Sequence, residues 1–257
     1  MKHILYVCLL LTQVAVAQSG ESIQADSLPK KINYKFGLTS EFGINYALSS
    51  LPIFASFARS NGVNFSSRRL GVNFTFATGF RLNRFRIQLA QAIQILPFDD
   101  TSPPSANGWT ARSLGSGHVG GTLGYDVLNN RNRRLYVLGG FGQIGQDYSF
   151  YRQSAQSVPF GTIFQANQNS VPSMTIRNQF VEFGIEYAQQ EKRRRTASNV
   201  LRAGYRMGIN KQPWGSDTYT LTNPITERVN QFYVQWAVAL STNWNRGDRP
   251  SARKNRP

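Results

Sequence analysis

Apolar side chains recur at every second position in eight separate stretches of this chain, and no other feature narrows its fold as much. The first run places Phe36, Leu38, Ser40, Phe42, Ile44, Tyr46 and Leu48 on one face, with Gly37, Thr39, Glu41, Gly43 and Asn45 between them. The second carries Leu70, Val72, Phe74, Phe76, Thr78 and Phe80, and the third Phe85, Ile87, Leu89, Gln91, Ile93 and Ile95. Val119, Gly121, Leu123, Tyr125 and Val127 form the fourth. A fifth, Arg134 to Ile144, is glycine-rich and leaves its facing open. Val181, Phe183, Ile185 and Tyr187 make the sixth, and Leu201, Ala203, Tyr205, Met207 and Ile209 the seventh. The eighth holds Phe232, Val234, Trp236, Val238, Leu240, Thr242 and Trp244. A period of two sends successive side chains to opposite faces of a strand. Helical spacing fits none of these runs as well, so the chain reads as all-β.

Most runs have about 9–13 residues, the length a tilted strand needs to cross a bilayer. The connections alternate between short (81–84, 129–133, 188–198) and long (49–67, 97–117, 145–174, 211–228). That layout predicts an eight-stranded antiparallel up-and-down transmembrane β-barrel over 33–244, with both ends on the short-turn, periplasmic side. Alternation alone also allows a soluble exported barrel of lipocalin type, with the apolar face turned inward. Three features favour the membrane. The polar face is rich in glycine rather than flexible charges, the apolar face ends in a belt of aromatics at the short-turn side, and a soluble barrel has no need of the loop asymmetry. The belt consists of Phe36, Phe80, Phe85, Tyr125, Tyr187 and Trp244.

Met1 to Ala17 has the order of a secretory signal: a basic start, an apolar run from Ile4 to Leu11, and the small-x-small Ala15-Val16-Ala17. The single cysteine, Cys8, leaves with it, so the mature chain has no thiol for a disulfide. Residues 18–32 then form a periplasmic N-terminal segment and 245–257 a basic periplasmic tail.

The opening strand Lys35-Phe36-Gly37-Leu38-Thr39-Ser40-Glu41-Phe42-Gly43-Ile44-Asn45, together with the size and layout of the chain, resembles the PorT-like barrels. As an architecture, 33–244 resembles the OmpA/OmpX-like eight-stranded outer-membrane barrels. The first resemblance implies a role beside a protein-secretion machine, and both imply residence in the outer membrane of a Gram-negative cell. Trp244 stands where such barrels end on an aromatic assembly signal, although Asn245 to Pro257 extend past it.

Alternation points Lys35, Glu41, Arg86, Asp126, Glu182, Glu186, Arg202 and Arg206 into the lumen. The short turn between runs six and seven sets a register that places Glu186 opposite Arg202 and, with it, Glu182 opposite Arg206. Two cross-strand ion pairs are expected there, filling and neutralising a lumen just wide enough for side chains. His118, at the start of the fourth run, is the one histidine of the mature chain, so no metal site of usual ligand type is expected. Asp99-Asp100 with His118 and a loop serine would mimic an outer-membrane acyltransferase or protease site, but nothing fixes their spacing, and paired Asp at a strand end is usually a turn former. No catalytic residue and no cofactor are assigned.

The formal charge is +16, and nearly half of the 29 basic residues fall at the short turns or in the tail, including Arg81, Arg134 and the run Lys192, Arg193, Arg194 and Arg195. Nucleic acid is a poor fit for an exported protein. Membrane lipid phosphates or an acidic periplasmic or secretion-machine protein are the partners this patch fits. The long loops, with Tyr148, Phe150, Tyr151, Phe160 and Phe164 in the third, fit either binding of surface glycans or proteins or plain exposed connectors. The function expected is non-enzymatic: envelope structure, or an accessory component of a larger assembly. A passive small-solute channel is the alternative, and an enzyme acting on lipid or peptide the third.

Overall fold

The computed structural model describes residues 35–97, 108–128, 133–152, 170–189 and 195–244. Residues 1–17, expected to be a signal segment, residues 18–32, residues 245–257, Asp99, Asp100, Phe160, Phe164, Lys192, Arg193 and Arg194 lie outside these residues. The barrel strands are β1 (Phe36–Ser50), β2 (Arg68–Leu82), β3 (Phe85–Pro97), β4 (Trp109–Asp126), β5 (Arg133–Arg152), β6 (Ser170–Gln189), β7 (Arg195–Gly208) and β8 (Asn230–Trp244). Each pairs antiparallel with its neighbour in sequence. β1 meets β8 from Phe36 opposite Trp244 to Ser50 opposite Asn230, which closes an eight-stranded barrel without an edge. Phe36 and Trp244 define the turn end of the barrel; the opposite rim is the loop end.

The apolar face of every run points outward. Ile87, Leu89, Ile93, Phe183 and Leu240 are exposed, and Phe141 is 71% exposed. An outer surface this continuously apolar is stable against lipid and not against water, so the fold is that of a transmembrane barrel. The lipocalin arrangement, apolar side inward, is set aside by the same observation. At the turn end Phe36 stacks on Trp244 with centroids 6.2 Å apart, Phe80 lies 6.4 Å from Phe36, and Phe85 lies 5.0 Å from Tyr125. Arg84 donates from Nη1 to the Tyr125 hydroxyl at 3.0 Å beside them. The tightest turn, between β2 and β3, passes through Asn83 at φ 54°, a conformation asparagine tolerates.

Inside, glycine decides how closely the wall can coil. Gly120 faces Gly142 across β4 and β5, and Gly142 in turn faces Phe180 of β6. A Cβ at Gly142 would stand 2.6 Å from the Gly120 Cα and 2.8 Å from the Phe180 ring, and would also meet the Val119 carbonyl. The ring fills the volume that the two glycines leave, so backbone and aromatic are fitted to each other.

Several expectations need correction. The eight barrel strands run for 13 to 20 residues, longest in β5 and β6. The loop-end parts of β4, β5 and β6 were expected as loop because they lack apolar alternation. Beyond the lipid, one face meets water and the other meets folded loop, so both faces can be polar or both apolar. The fifth run resolves with Tyr136, Leu138, Ile144 and Tyr148 inward and Val137 and Phe141 outward. Tyr148, Phe150 and Tyr151 belong to β5 rather than to a loop. The first long connection contains a helix, α1 (Pro52–Ser60).

Candidate functional site: a filled lumen under a lid

At mid-barrel, four charges from four strands alternate in sign. Arg86 on β3 donates from Nη1 to Glu41 Oε1 at 3.1 Å and from Nη2 to Glu186. Arg202 on β7 donates from Nε and Nη2 to Glu186 Oε2 at 2.9 and 2.6 Å, and from Nη2 to Glu41 Oε2 at 3.0 Å. Gln88 Oε1 accepts from both guanidiniums, at 3.1 and 2.7 Å. All four charged side chains are buried, and their charges cancel. Charges taken out of water persist only where geometry and further hydrogen bonds offset the desolvation, as this crossed arrangement does. The planar guanidinium fork lets each arginine serve two carboxylates at once.

One layer nearer the loop end, Arg206 donates from Nε to Glu182 Oε2 at 2.9 Å and from Nη1 to Gln231 Oε1 at 2.6 Å. The Tyr233 hydroxyl donates to Glu182 Oε1 at 2.5 Å, and its ring lies 4.0 Å beneath the Arg206 guanidinium carbon. The β6–β7 register sets Glu182 against Arg206 and Glu186 against Arg202. The sequence pattern did not reveal that Glu186 is shared with Arg86, nor that Glu41 joins the same cluster. Those contacts cross the lumen between strands distant in the sheet, and the pairing of neighbours carries no information about them.

Arg81 and Arg134, expected at the short turns, are buried inside the turn end. Arg81 Nη2 donates to Asn243 Oδ1 at 2.8 Å, and Arg134 Nη1 donates to the Tyr136 hydroxyl at 3.2 Å. Both strands begin or end beyond the turn residues, and parity then sends these side chains inward. Lys35 departs the other way: it precedes the first paired residue and is exposed. Asp126 is buried and accepts the Leu135 backbone N–H at 3.3 Å. Of the basic run 192–195, only the backbone of Arg195, opposite Thr242 at the start of β7, lies within the described residues.

The loop end is shut by a lid. Helix α1 turns Phe54, Ala55 and Ala58 inward onto Phe65, Ile144, Tyr148, Phe150, Ile176, Phe180 and Trp214. Phe54 and Trp214 stack with centroids 3.8 Å apart, and Phe65 meets Phe54 edge-on at 5.2 Å. Pro52 suits the first helical turn, where its missing N–H leaves no gap, but Leu51 offers no side-chain cap. The cap comes from the last long connection: the Ile53 and Phe54 N–H groups donate to Glu227 Oε1 and Oε2 at 2.7 and 3.1 Å. Trp214 Nε1 donates to the same carboxylate at 3.3 Å. Pro52 followed by Phe54 and Ala58 at helical spacing was the available sign of this helix; the capping carboxylate had none.

Burial raises the Glu227 pKa above the ordinary 4.5, and the three N–H donors offset only part of that rise. A carboxyl whose folded pKa exceeds its unfolded one contributes stability that is complete below the unfolded value and lost as pH rises through the folded value. Hydrogen-exchange protection of the α1 amides, corrected for intrinsic rates, is therefore expected to increase as pH falls from about 7 towards the ordinary carboxyl range. Glu227→Gln should flatten that dependence. An identical slope in the variant would remove Glu227 as its source.

His118 is buried inside β4, nine residues after the strand begins, with its ring 6.3 Å from Phe180 in an edge-on contact. Among the described residues no three His, Cys, Asp or Glu side chains are grouped to hold a metal.

No protein-family model matches the chain, and a search of curated proteins finds no match. Solved structures of similar fold include Ail, the attachment invasion locus protein of Yersinia pestis, in complex with the heparin analogue sucrose octasulfate. It is 11% identical over 80% of this chain and 99% of that one, with a TM-score of 0.43. A major outer membrane protein from Thermus thermophilus is 7% identical over 81% and 99%, at 0.45. The outer membrane protease OmpT from Escherichia coli is 9% identical over 84% and 99%, at 0.36. The likeness is one of fold.

Proposed function

We propose that this is a non-enzymatic barrel of the bacterial outer membrane, with the turn end and both termini periplasmic, that serves envelope structure or acts as an accessory component of a larger assembly. One observation carries the reading: the lumen is closed twice, by the buried charge layers and by the apolar lid. A barrel built for passive transport keeps a water-filled path, whereas here the polar interior is consumed by its own ion pairs. The apolar outer face and aromatic belt supply the anchor. The basic run Lys192 to Arg195 between β6 and β7 suits lipid phosphates or an acidic protein, and a secretion machine is the partner class to which the PorT-like opening strand points.

Native-gel analysis after mild extraction from outer membranes tests this. A discrete assembly larger than the monomer is expected, with conductance in planar bilayers indistinguishable from the bare membrane. Steady single-channel conductance from the purified monomer would overturn the reading in favour of solute passage.

A further inference from the structure

Within the lipid-facing band of β1 to β3, polar side chains fall along one line. Ser40 on β1 stands opposite Thr78 on β2, Thr78 stands opposite Leu89 on β3, and Gln91 follows two residues later on the same face. Thr78 and Gln91 are exposed. Phe42 and Phe76, with ring centroids 5.2 Å apart, border the line towards the loop end. Leu38 and Phe80, paired across β1 and β2, border it towards the turn end.

Gln91 lies six residues beyond Phe85 of the aromatic belt, which places it about 15 Å deeper in the membrane for a strand tilted by about 40°. That depth is near the middle of an apolar band about 25 Å tall. Leu89 and Ile93, 64% and 69% exposed, flank it on the same strand, so its carboxamide stands among hydrocarbon. A carboxamide has two N–H donors and an oxygen with two acceptor sites, and lipid tails offer a partner to none of them. Gln91 makes no side-chain hydrogen bond to any described residue. Beside it, Phe76, Thr78, Leu89, Ala90 and Val119 line, together with Gln91, a groove of about 120 Å³ in the outer wall.

We propose that a second copy of this chain covers this face, related to the first by a two-fold axis that runs along the membrane normal beside Gln91. The contact rests on the reading of the barrel as a component of a larger assembly, and makes a copy of itself one of the partners. Lipid tails can fill the groove, but they cannot hydrogen-bond the amide within it. Two copies inserted in the same direction carry Gln91 at the same depth. A carboxamide is donor and acceptor at once, and is therefore complementary to its own image across such an axis. The same rotation lays the exposed ridge of Leu89 and Ile93 beside the groove of the other copy, so that apolar packing surrounds the polar pair.

Cysteine cross-linking of the full-length protein in outer membranes tests the contact. Cys8, the single cysteine of the sequence, is replaced by serine, and either Gln91→Cys or Tyr205→Cys is added. Tyr205 faces lipid on β7, across the barrel from β3. With the membrane-permeant oxidant copper phenanthroline, Gln91→Cys should give at least tenfold more dimer on non-reducing gels than Tyr205→Cys. In phosphatidylcholine vesicles, energy transfer between labelled copies should show self-association weakened at least tenfold by Gln91→Leu, while the barrel keeps its heat-dependent gel mobility. Three results would overturn the dimer: no excess of cross-linking at Gln91→Cys, as a face covered by lipid alone would give; a cross-link to a different protein instead; or self-association unchanged in Gln91→Leu. A larger assembly that holds one copy of the chain would also overturn it and leave the accessory reading standing. That reading fails separately, on steady single-channel conductance, whatever the cross-linking gives.

Discussion

Replacing Glu186 with leucine is expected to destabilise the barrel by roughly 3–5 kcal/mol, the usual result of removing one partner from a buried ion pair. The loss is concentrated because Glu186 accepts from both Arg86 and Arg202. Without it, Glu41 alone faces two guanidiniums in a medium too poor in water to screen them. Replacing Glu41, Arg86, Glu186 and Arg202 together by apolar residues of similar volume removes the stranded charges and should restore much of the loss. Urea unfolding of the barrel in lipid vesicles, followed by tryptophan fluorescence, measures both. A single variant with the wild-type midpoint would show that the four charges do not act as a unit.

A larger effect is expected at a residue with no side chain. Gly142→Val should prevent the folded barrel from forming, because the new atoms would have to occupy the space of the Val119 carbonyl, the Gly120 Cα and the Phe180 ring. Two of those three obstacles are backbone, so repacking cannot relieve them, and the penalty should exceed about 3 kcal/mol. Gly139→Val, three residues away on the outward face, is the control: nothing lies within 4 Å of a Cβ there, and the variant should fold. Heat-dependent mobility on gels separates the outcomes. Equal folding of the two variants would mean that the β4–β5–β6 wall can open at little expense.

The two sites differ in how far the sequence reveals them. The alternation that assigned Phe36, Leu38 and Phe42 outward also assigned Glu41 inward, because a strand has only two faces and lipid sorts them strictly. Register between β6 and β7 was legible too, since a short turn leaves few ways to align Glu182 and Glu186 with two arginines. What lay beyond reach was whatever spans the lumen or the mouth. Arg86 reaches Glu186 across 100 positions, and Gly142 is fitted to a ring on another strand. The lid was missed for a different reason. Outside the bilayer the solvent no longer imposes a period of two, and Trp109 to Ser116 show no alternation although they are strand. The Arg81 and Arg134 placements failed at strand ends, where a shift of one residue reverses inside and outside.

The helix that shuts the mouth also fixes an order of events. Its first turn is completed by a carboxylate that lies 174 positions later in the chain, three residues before the final strand begins. In the order of the chain the α1 segment therefore comes long before the carboxylate that caps it, and that carboxylate lies beside the strand that seals the wall. Seam and stopper thus depend on one stretch, Glu227 to Trp244, and a chain truncated before Glu227 would lack both the cap of α1 and the strand that closes the wall.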